Sequence, residues 1–402
     1  MSPRKFAKVV LFHARRARIK ALAAPRELPW LRRRLHLPRN QTYQPLSDTA
    51  PTDVRITPLD PGETFVRPLP ALPHASPDAT RFFAERTVER TAPSYVAELH
   101  GGLAWGHPTG GIFTADGRFT PAFSHDPSGA NLHTVWTRLH FPAPRRLEGR
   151  TLYLVTPEAT DNFHHWVIDL LPRLSLVRRA GYDLTTFDHV IINHAHRRFQ
   201  LSTLAHFGIA PEKLIEAKDS VFVRCDFLVV PSLKANHQTL PAADLTFLRE
   251  MYPTSSAPAA GGRRIFITRS DAAYRRLQNE ADFHPLLRAH GFEIVSPGSM
   301  ELKAQAQLFS EASVIAGPAG AAFANLVFSC APAHVIELVP PQWLSAFHWM
   351  ISARAGLTHT VLLGKGRVMR GVPDSSARQV DVVVSPADLS AVLGPVQIEE
   401  RC

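Results

Sequence analysis

From residue 150 onward, short apolar segments alternate with longer segments of helical periodicity, and this alternation constrains the fold more than any other feature. The segments "TLYLVT", "HVIINH" and "FLVVPS" predict strands, and "NFHHWVIDLLPRLSLVRRAGYD" and "RRFQLSTLAHFGI" between them predict helices. Strands that alternate with helices in this way form a parallel sheet covered on both faces. The sequence therefore predicts an α/β fold.

The alternation stops at "PTSSAPAAGG", residues 253–262, whose composition is typical of a linker, and then begins again. Further strands are predicted in "RRIFITRS", "EIVSP", "SVIAGP" and "AHVIELVP", with helices between them. Because 402 residues are too many for one ordinary core, we expect two Rossmann-like domains, at 41–252 and 263–402, that face a central cleft. Ligands of such domains bind at the carboxyl ends of the strands.

The region before residue 150 has a different character. Residues 41–80 are rich in proline, and short segments punctuated by glycine follow at 94–125. Within the latter, "TADGRF" predicts a β-hairpin whose turn is Asp116-Gly117. We therefore expect a β-rich N-terminal extension ahead of the first α/β segment.

Positive charge is concentrated in a basic N-terminal arm, residues 1–40. The arm holds 12 of the 45 Lys and Arg residues and one of the 35 Asp and Glu residues, which leaves 33 basic and 34 acidic residues elsewhere. Its apolar segments are too short to span a bilayer and lack the pattern of a secretory signal. Two interpretations stay open: residues 1–34 form a basic amphipathic helix that associates with the inner membrane, or they are a solvated tail. Because no basic patch continues into the body of the chain, we expect no nucleic-acid partner.

Three widely spaced cysteines, Cys225, Cys330 and Cys402, form neither a metal-binding pattern nor a disulfide framework. This usage fits a reducing compartment. A cytoplasmic location is therefore expected.

Small residues follow the predicted strand "SVIAG" in the turn "PAGAAFAN". Gly317 and Gly320 would let a ligand approach the backbone closely, and a helix that begins there would offer free N–H groups to an anion. The alternative is tight packing of strand against helix with no ligand. Taken alone, the segment favours the packing interpretation.

A cluster of arginines near the end of another predicted strand favours the ligand-binding interpretation of the glycine turn. The segment "TRSDAAYRRLQNE" carries Arg269, Arg275 and Arg276, followed by Asn279 and Glu280. Guanidinium groups bind phosphate through two parallel hydrogen bonds, so the cluster and the glycine turn together indicate a diphosphate site. The alternative is a surface loop held by salt bridges. Glu337, which ends the strand "VIEL", would bind ribose hydroxyls or pair with one of these arginines.

The first domain offers acid–base chemistry. In "DNFHHWVIDLLPRL", His165 and Asp169 are four residues apart and share a helix face. An Asp that orients an imidazole makes a competent base near neutral pH, and Asp169 could equally be the base itself. Trp166 beside them could stack on a sugar ring, and Pro172 should kink or end the helix. The alternative is a hydrogen-bonded pair with a structural role, which the pair alone favours.

Three blocks of the sequence together resemble glycosyltransferase family 61, in particular its bacterial capsular polysaccharide biosynthesis members. The blocks are "NFHHWVIDLLPRL", the arginines followed by Asn279 and Glu280, and "GPAGAAFAN" with the strand "VIELVP". The resemblance spans about residues 95–345. The chain departs from the family pattern at two positions: Ala319 replaces a histidine, and His164 stands where an aromatic residue is usual.

The resemblance implies a GT-B architecture and inverting transfer from a nucleotide sugar, foremost a UDP-sugar, to a hydroxyl of a glycan or lipid-linked acceptor in surface polysaccharide biosynthesis. It implies an acceptor domain at 41–252 and a nucleotide-sugar domain at 263–402. The implied base is Asp169 or His165. Implied acceptor or sugar contacts are Asn162, His164, Trp166 and Arg173. Implied donor-binding residues are Arg269, Arg275, Arg276, Asn279, Glu280, Gly317, Gly320, Asn325 and Glu337.

No obligatory metal or other cofactor is expected, because no Asp-x-Asp motif occurs and arginines can replace a divalent ion. Two other functions compete with the transferase. Ala319 favours a non-catalytic relative that binds nucleotide sugars. A dehydrogenase of the NAD type would need a Gly-x-Gly-x-x-Gly turn at a strand end, and the sequence has none there.

Overall fold

The structure is a computed structural model that describes residues 25–124, 133–234, 238–254, 262–368 and 379–393, together with residues 14, 17 and 21. Most of the basic arm and the linker residues 255–261 lie outside the described residues. The chain divides into two compact units: Met1–Pro61 with Ala92–Lys234, and Gly62–Thr91 with Ala235–Cys402. Both units combine strands with helices, which confirms the α/β fold class.

Strands and helices alternate through most of the described chain. The strands in chain order are β1 Val54–Asp60, β2 Thr64–Val66, β3 Val88–Arg90, β4 Ser94–His100, β5 Leu103–Trp105, β6 Ile112–Phe113, β7 Arg145–Tyr153, β8 His189–Ile192, β9 Leu214–Glu216, β10 Phe222–Pro231, β11 Arg263–Ile267, β12 Phe292–Val295, β13 Ala312–Pro318, β14 His334–Val339 and β15 Thr358–Leu363. The helices are α1 Pro29–Arg34, α2 Pro77–Ala84, α3 Phe163–His165, α4 Leu171–Arg179, α5 Arg198–His206, α6 Ala242–Met251, α7 Glu280–Ala289, α8 Leu302–Glu311, α9 Phe347–Ala355 and α10 Pro386–Leu393.

A π-helical turn, Trp166–Leu170, joins α3 to α4 into one continuous helical segment. Shorter 3-10 helices cover Pro121–Phe123, Thr134–Thr137, Leu184–Thr186, Pro211–Lys213, Pro297–Ser299 and Ala321–Phe328. The last of these replaces the α-helix expected to begin in the turn "PAGAAFAN". Within the described residues, no helix combines the length and apolar character needed to cross a bilayer.

The first unit is built on one mixed sheet with the order β1-β4-β10-β7-β8-β9. Strands β10, β7, β8 and β9 are parallel, whereas β4 pairs with β10, and β1 with β4, in the antiparallel direction. The short strands β5 and β6 extend the sheet along another part of β10. The antiparallel strands come from the region before residue 150, so the unit joins an antiparallel part to the expected parallel one.

The second unit is built on a purely parallel sheet with the order β12-β11-β13-β14-β15. From β11 the chain moves outward to β12 and then crosses back to β13 on the other side of β11. This is a doubly wound order, and its switch point lies between β11 and β13. Phe266, Ile336 and Leu362 pack on one face of this sheet against Phe283 and Leu287 of α7. The carboxyl ends of β11 and β13 are therefore the expected ligand site of this unit.

Residues 62–91 pack with the second unit, although the sequence placed them in the domain at 41–252. Glu89 is fully buried, and its carboxylate accepts hydrogen bonds from Arg67 at 2.8 and 3.0 Å and from Arg354 at 3.3 Å. The indole N–H of Trp349 donates to the carbonyl of Pro68 at 2.9 Å. These partners are far apart in sequence, so no local pattern indicated the contact.

Candidate functional site

In the first unit, the predicted pair of His165 and Asp169 forms part of a buried three-residue chain. His165 Nδ1 lies 2.7 Å from Asp169 Oδ2, one helical turn away. His165 Nε2 lies 2.9 Å from Glu158 Oε2. Burial by itself would lower the pKa of His165, but the hydrogen bonds to Asp169 and Glu158 and their charges raise it to about 9. At neutral pH the ring is therefore an imidazolium whose two N–H groups donate to the two carboxylates.

Glu158 is the solvent-facing member of this chain, and it was not among the residues predicted from the sequence. Its side chain is 34% exposed, against 6% for His165 and 3% for Asp169. Its backbone adopts the left-handed conformation, with φ of 64°, which is unusual for a residue with a side chain and often marks a functional position. Glu158 lies in the connection between β7 and α3, at the carboxyl end of a parallel strand. That placement was the signal that could have found it.

Lys234, which follows β10, brings a positive charge to the same cluster. Its Nζ lies 3.8 Å from Asp169 Oδ1 and donates to the carbonyl of Ile168 at 2.5 Å. Pro172 has no N–H to offer that carbonyl, and its ring would crowd it in a regular α-helix. The wider π-helical turn at Trp166–Leu170 accommodates the proline, and such turns are frequent at functional sites. The expected disturbance at Pro172 is thus a π-helical turn just before it.

The other residues predicted in this region have structural surroundings. Asn162 caps the helix, since its side-chain oxygen accepts from the N–H of His164 at 3.0 Å. His164 is buried, as is Trp166, whose indole donates to Thr203 Oγ1 at 3.0 Å. The ring of Trp166 is therefore covered by protein.

Arg173 is also buried, and its guanidinium ties together the ends of two strands. It donates to the carbonyls of Tyr153 at 3.1 Å and Val155 at 3.2 Å, and to the carbonyl of Pro231 at 2.8 Å. These acceptors lie where β7 and β10 end, and the loops that carry Glu158 and Lys234 begin there. Arg173 therefore fixes the starts of the loops that carry Glu158 and Lys234.

In the second unit, the glycine turn and the first arginine meet at the switch point between β11 and β13. A Cβ at Gly317 would lie 2.6 Å from the carbonyl oxygen of Ile267, because the two strands approach closely there. A Cβ at Gly320 would lie 2.0 Å from Arg269 Nη1. The guanidinium of Arg269 thus lies directly over the turn, in space that only glycine leaves open.

Arg269 is a cation with little compensation from its surroundings. Its Nη2 donates to the carbonyl of Tyr274 at 3.0 Å, and its Nε is buried without a hydrogen-bond partner. Among the described residues no carboxylate forms an ion pair with it, and burial lowers the pKa of its guanidinium. A desolvated guanidinium beside the backbone of a glycine turn at a switch point is suited to binding an anion.

The next two arginines have separate surroundings. Arg275 has a left-handed backbone, with φ of 55°, and its guanidinium lies over the ring of Trp343 at 4.2 Å. Trp343 follows β14 and was not predicted as a site residue. Arg276 instead pairs with Asp381 at 3.1 Å and joins its loop to residue 382. The two guanidinium groups therefore differ: that of Arg276 is paired with a carboxylate, and that of Arg275 lies over an aromatic ring.

Asn279 and Glu280 shape the loop that carries the arginines. Asn279 takes a left-handed conformation at the start of α7. Glu280 accepts a hydrogen bond from the hydroxyl of Thr268 and one at 3.5 Å from the backbone N–H of Arg269. Glu280 therefore holds the backbone at Arg269, and Asn279 sets the start of α7.

Glu337 and Asn325 are both buried. Glu337 accepts from His348 Nδ1 at 2.6 Å and from His359 Nε2 at 3.2 Å. Burial by itself would raise the pKa of Glu337, but the two histidines lower it to about 2. Asn325 donates to Gln305 Oε1 at 2.6 Å. In this structure both oxygens of Glu337 are engaged inside the protein.

Ala319, which replaces the histidine of the family pattern, is fully buried. It packs in an apolar cluster with Phe83, Val339, Trp349 and Val361. Its side chain therefore contributes to the core of the unit.

The comparison with known proteins agrees with the resemblance seen in the sequence. No curated protein matches the chain. Residues 163–336 match the family described as Glycosyltransferase 61, an interval that runs from α3 to β14 and contains His165, Asp169, Arg269 and Gly320. This match confirms, over residues 163–336, the resemblance to glycosyltransferase family 61.

Proposed function

We propose that this protein is an inverting glycosyltransferase that moves a sugar from a nucleotide-sugar donor, foremost a UDP-sugar, to a hydroxyl of a glycan or lipid-linked acceptor. The observation that carries the proposal is the position of Arg269 over Gly320 at the switch point of a doubly wound sheet. The match of residues 163–336 to glycosyltransferase family 61 supports glycosyltransferase activity in general.

The second unit binds the donor in this proposal. Arg269 is desolvated and lacks an ion pair within the described residues, so a diphosphate would supply the missing negative charge. When the bond to the anomeric carbon breaks, the departing nucleoside diphosphate gathers negative charge. Arg269, the backbone N–H groups around Gly320 and Arg275 of the same loop would stabilise that charge as fixed cations and dipoles. No step in this account requires a metal.

The first unit supplies the base. His165 is protonated at neutral pH, so it does not accept a proton in this state. Asp169 is buried and hydrogen-bonded to the imidazolium. Glu158 is the exposed carboxylate of the three. In the proposed reaction Glu158 takes the proton of the acceptor hydroxyl while that oxygen attacks the anomeric carbon opposite the leaving group, and His165 and Asp169 hold Glu158 in place.

Two sets of variants test the donor site and the base separately. A thermal-shift screen of nucleotide sugars should find one that stabilises the wild type by about 2.7 kcal/mol at 100 times its dissociation constant. Arg269→Ala should lose that stabilisation, and Arg276→Ala, whose partner is Asp381, is the matched control that should keep it. A screen in which no nucleotide sugar or nucleoside diphosphate stabilises the protein would refute the proposal.

For the base, turnover of donor and acceptor is measured in Glu158→Gln, His165→Gln and Asp169→Asn. Glu158→Gln should lose turnover but keep donor binding, because the amide cannot take a proton. Glu148→Gln, which changes an exposed acid within β7, is the matched control. Full turnover in Glu158→Gln would remove Glu158 from the role of base.

A non-catalytic relative that binds nucleotide sugars is the second candidate, and Ala319 is the observation that favours it. The imidazole of the family pattern is absent, and the methyl group of Ala319 packs in an apolar cluster. The wild type would then bind a nucleotide sugar without transferring or hydrolysing it. A donor-dependent product in wild type but not in Glu158→Gln excludes this candidate.

The biological setting is also a proposal: a bacterial protein of surface, capsular-type polysaccharide biosynthesis that works in the cytoplasm, peripherally on the inner membrane. Trp30 of α1 is 58% exposed, and Arg32, Arg33 and Arg34 beside it form no ion pair within the described residues. An exposed indole next to cationic side chains suits an anionic bilayer surface. The protein should co-sediment with phosphatidylglycerol vesicles and not with phosphatidylcholine vesicles, and Trp30→Ala should weaken the binding.

The GT-B arrangement of two Rossmann-like domains around a cleft belongs to the same proposal. It is implied by the family resemblance, and a crystal structure of the protein with the donor nucleotide is its test.

A further inference from the structure

Outside the groups discussed so far, three metal-ligating side chains meet at the edge of the first sheet. His194 and His196 follow β8, and Glu216 ends β9. Because β8 and β9 are parallel neighbours, with Ile192 opposite Glu216, the two histidines leave the sheet beside the carboxylate. One potential ligand atom from each residue lies within 4.8 Å of the other two.

The distances within this group suit one small cation. His196 Nε2 lies 3.1 Å from Glu216 Oε1, and His194 Nδ1 lies 3.8 Å from Glu216 Oε2. The two imidazole rings stack with centroids 5.3 Å apart. Zinc bonds to nitrogen and oxygen are about 2.0–2.2 Å long, so tetrahedral ligands lie about 3.3 Å from one another. Small rotations of the side chains would bring all three atoms to that spacing.

The backbone that presents these ligands is already held in place. Asn193 donates to the carbonyl of Thr156 at 3.0 Å and accepts from the N–H of Thr156 at 2.8 Å. The N–H of Ala217 donates to the carbonyl of Ile192 at 2.7 Å. Little chain entropy would therefore be lost when an ion binds.

One of the three potential ligands has a ring nitrogen that forms no hydrogen bond. Nδ1 of His194 is buried and has no hydrogen-bond partner. Lys218 lies near the carboxylate, with its Nζ 3.5 Å from Glu216 Oε2. The carboxylate thus already attracts one cation, which a metal ion would displace.

We propose that His194, His196 and Glu216 bind a divalent transition-metal ion of the Zn²⁺ type. Two imidazoles and one carboxylate favour zinc, nickel or copper over magnesium and calcium, which prefer oxygen ligands. Water completes the coordination. The ion bridges the loop after β8 to the end of β9, and through Asn193 it braces Thr156, two residues before Glu158. This inference goes beyond the proposed function and does not depend on it.

The test uses the full chain without a histidine tag, first dialysed against a chelator. Titration calorimetry with ZnCl₂ should show one equivalent bound, and Co²⁺ should give the visible absorption bands of a nitrogen- and oxygen-ligated ion. Even the loss of an outer-sphere partner weakens metal affinity by about 10–100-fold. His194→Ala, His196→Ala and Glu216→Gln should each weaken Zn²⁺ binding by at least that factor.

Two further variants keep the result interpretable. Lys218→Ala should strengthen binding, since it removes the competing cation, whereas a purely structural salt bridge would leave binding unchanged. His100→Ala is the control, because it removes a histidine that pairs with a glutamate, Glu98, at 3.0 Å outside the proposed site. This variant should bind Zn²⁺ like the wild type. Unfolding curves in the chelator verify that each variant is folded. Absence of binding, or one equivalent that survives in His194→Ala and His196→Ala, would overturn the proposal.

Discussion

Replacing Gly320 by alanine tests whether Arg269 and the glycine turn form one anion site. The backbone at Gly320 is extended, with φ of −166°, so alanine meets no conformational penalty there. A Cβ, however, would lie 2.0 Å from Arg269 Nη1 and 2.8 Å from Arg269 Cζ. Two groups cannot share that volume, so the guanidinium has to leave the turn.

The expected magnitude follows from what has to move. Only the end of a flexible side chain is displaced, and within the described residues Arg269 has no ion pair to lose. We therefore expect Gly320→Ala to change the free energy of unfolding by less than about 1 kcal/mol. If the guanidinium stabilises the departing diphosphate, its displacement should cost about 10²–10³ in turnover, or about 2.7–4 kcal/mol.

The assay is donor-dependent turnover, with nucleotide thermal shifts alongside, in Gly320→Ala, Arg269→Ala and the double variant. Because both substitutions remove the same contact, the double variant should be no worse than either single one. Gly317→Ala is the contrast: its Cβ would lie 2.6 Å from the backbone oxygen of Ile267, so it should destabilise the fold by about 1–3 kcal/mol. Wild-type turnover in Gly320→Ala, or additive losses in the double variant, would refute the reasoning.

Three further predictions concern stability. The pKa of His165 is raised to about 9, so its contribution to the free energy of unfolding is complete below pH 6.5 and is lost as the pH rises through 9. The urea midpoint of the wild type should fall over that range, and the fall should be smaller in His165→Gln. The pKa of Glu337 is lowered to about 2, so its contribution to the free energy of unfolding is present above pH 4.5 and is lost as the pH falls towards 2. Glu337→Gln should not show this acid-dependent loss of stability. At pH 7 that variant should lower the free energy of unfolding by about 3–5 kcal/mol in urea titrations, because two buried histidines lose their carboxylate. Glu89→Gln should cost a similar amount, about 3–5 kcal/mol, since Arg67 and Arg354 lose their shared carboxylate; a wild-type urea midpoint would contradict that pairing.

Much of the candidate donor site was predictable because its determinants are local. The strand that ends at Ile267, the strand that ends at Pro318 and the glycines after it are all visible as short patterns. Doubly wound sheets place such strand ends at one edge, so the meeting of Arg269 with Gly320 could be anticipated. The different partners of Arg275 and Arg276 could not, because they depend on a left-handed backbone and on contacts with Trp343 and Asp381.

The acid–base group was predicted only in part, for a related reason. Helical spacing placed His165 beside Asp169, since residues four apart share a face. Glu158 joins them from a loop with a left-handed backbone, and Lys234 joins from the far end of β10. Trp166 and Arg173, expected to contact a sugar, are buried in the core of the unit.

The sequence by itself determined the α/β class, most of the strands and helices from β7 to β14, though not β9 or α6, and the resemblance of residues 163–336 to glycosyltransferase family 61. These features can be predicted from residues close together in the chain, because regular backbone hydrogen bonding gives helices and strands their own periodicity. Only the tertiary structure decided that residues 62–91 pack with the second unit, that Glu158 is the exposed end of the His165–Asp169 chain and that Glu337 is enclosed by histidines. Those outcomes depend on contacts between segments far apart in the chain, and no local pattern carries that information.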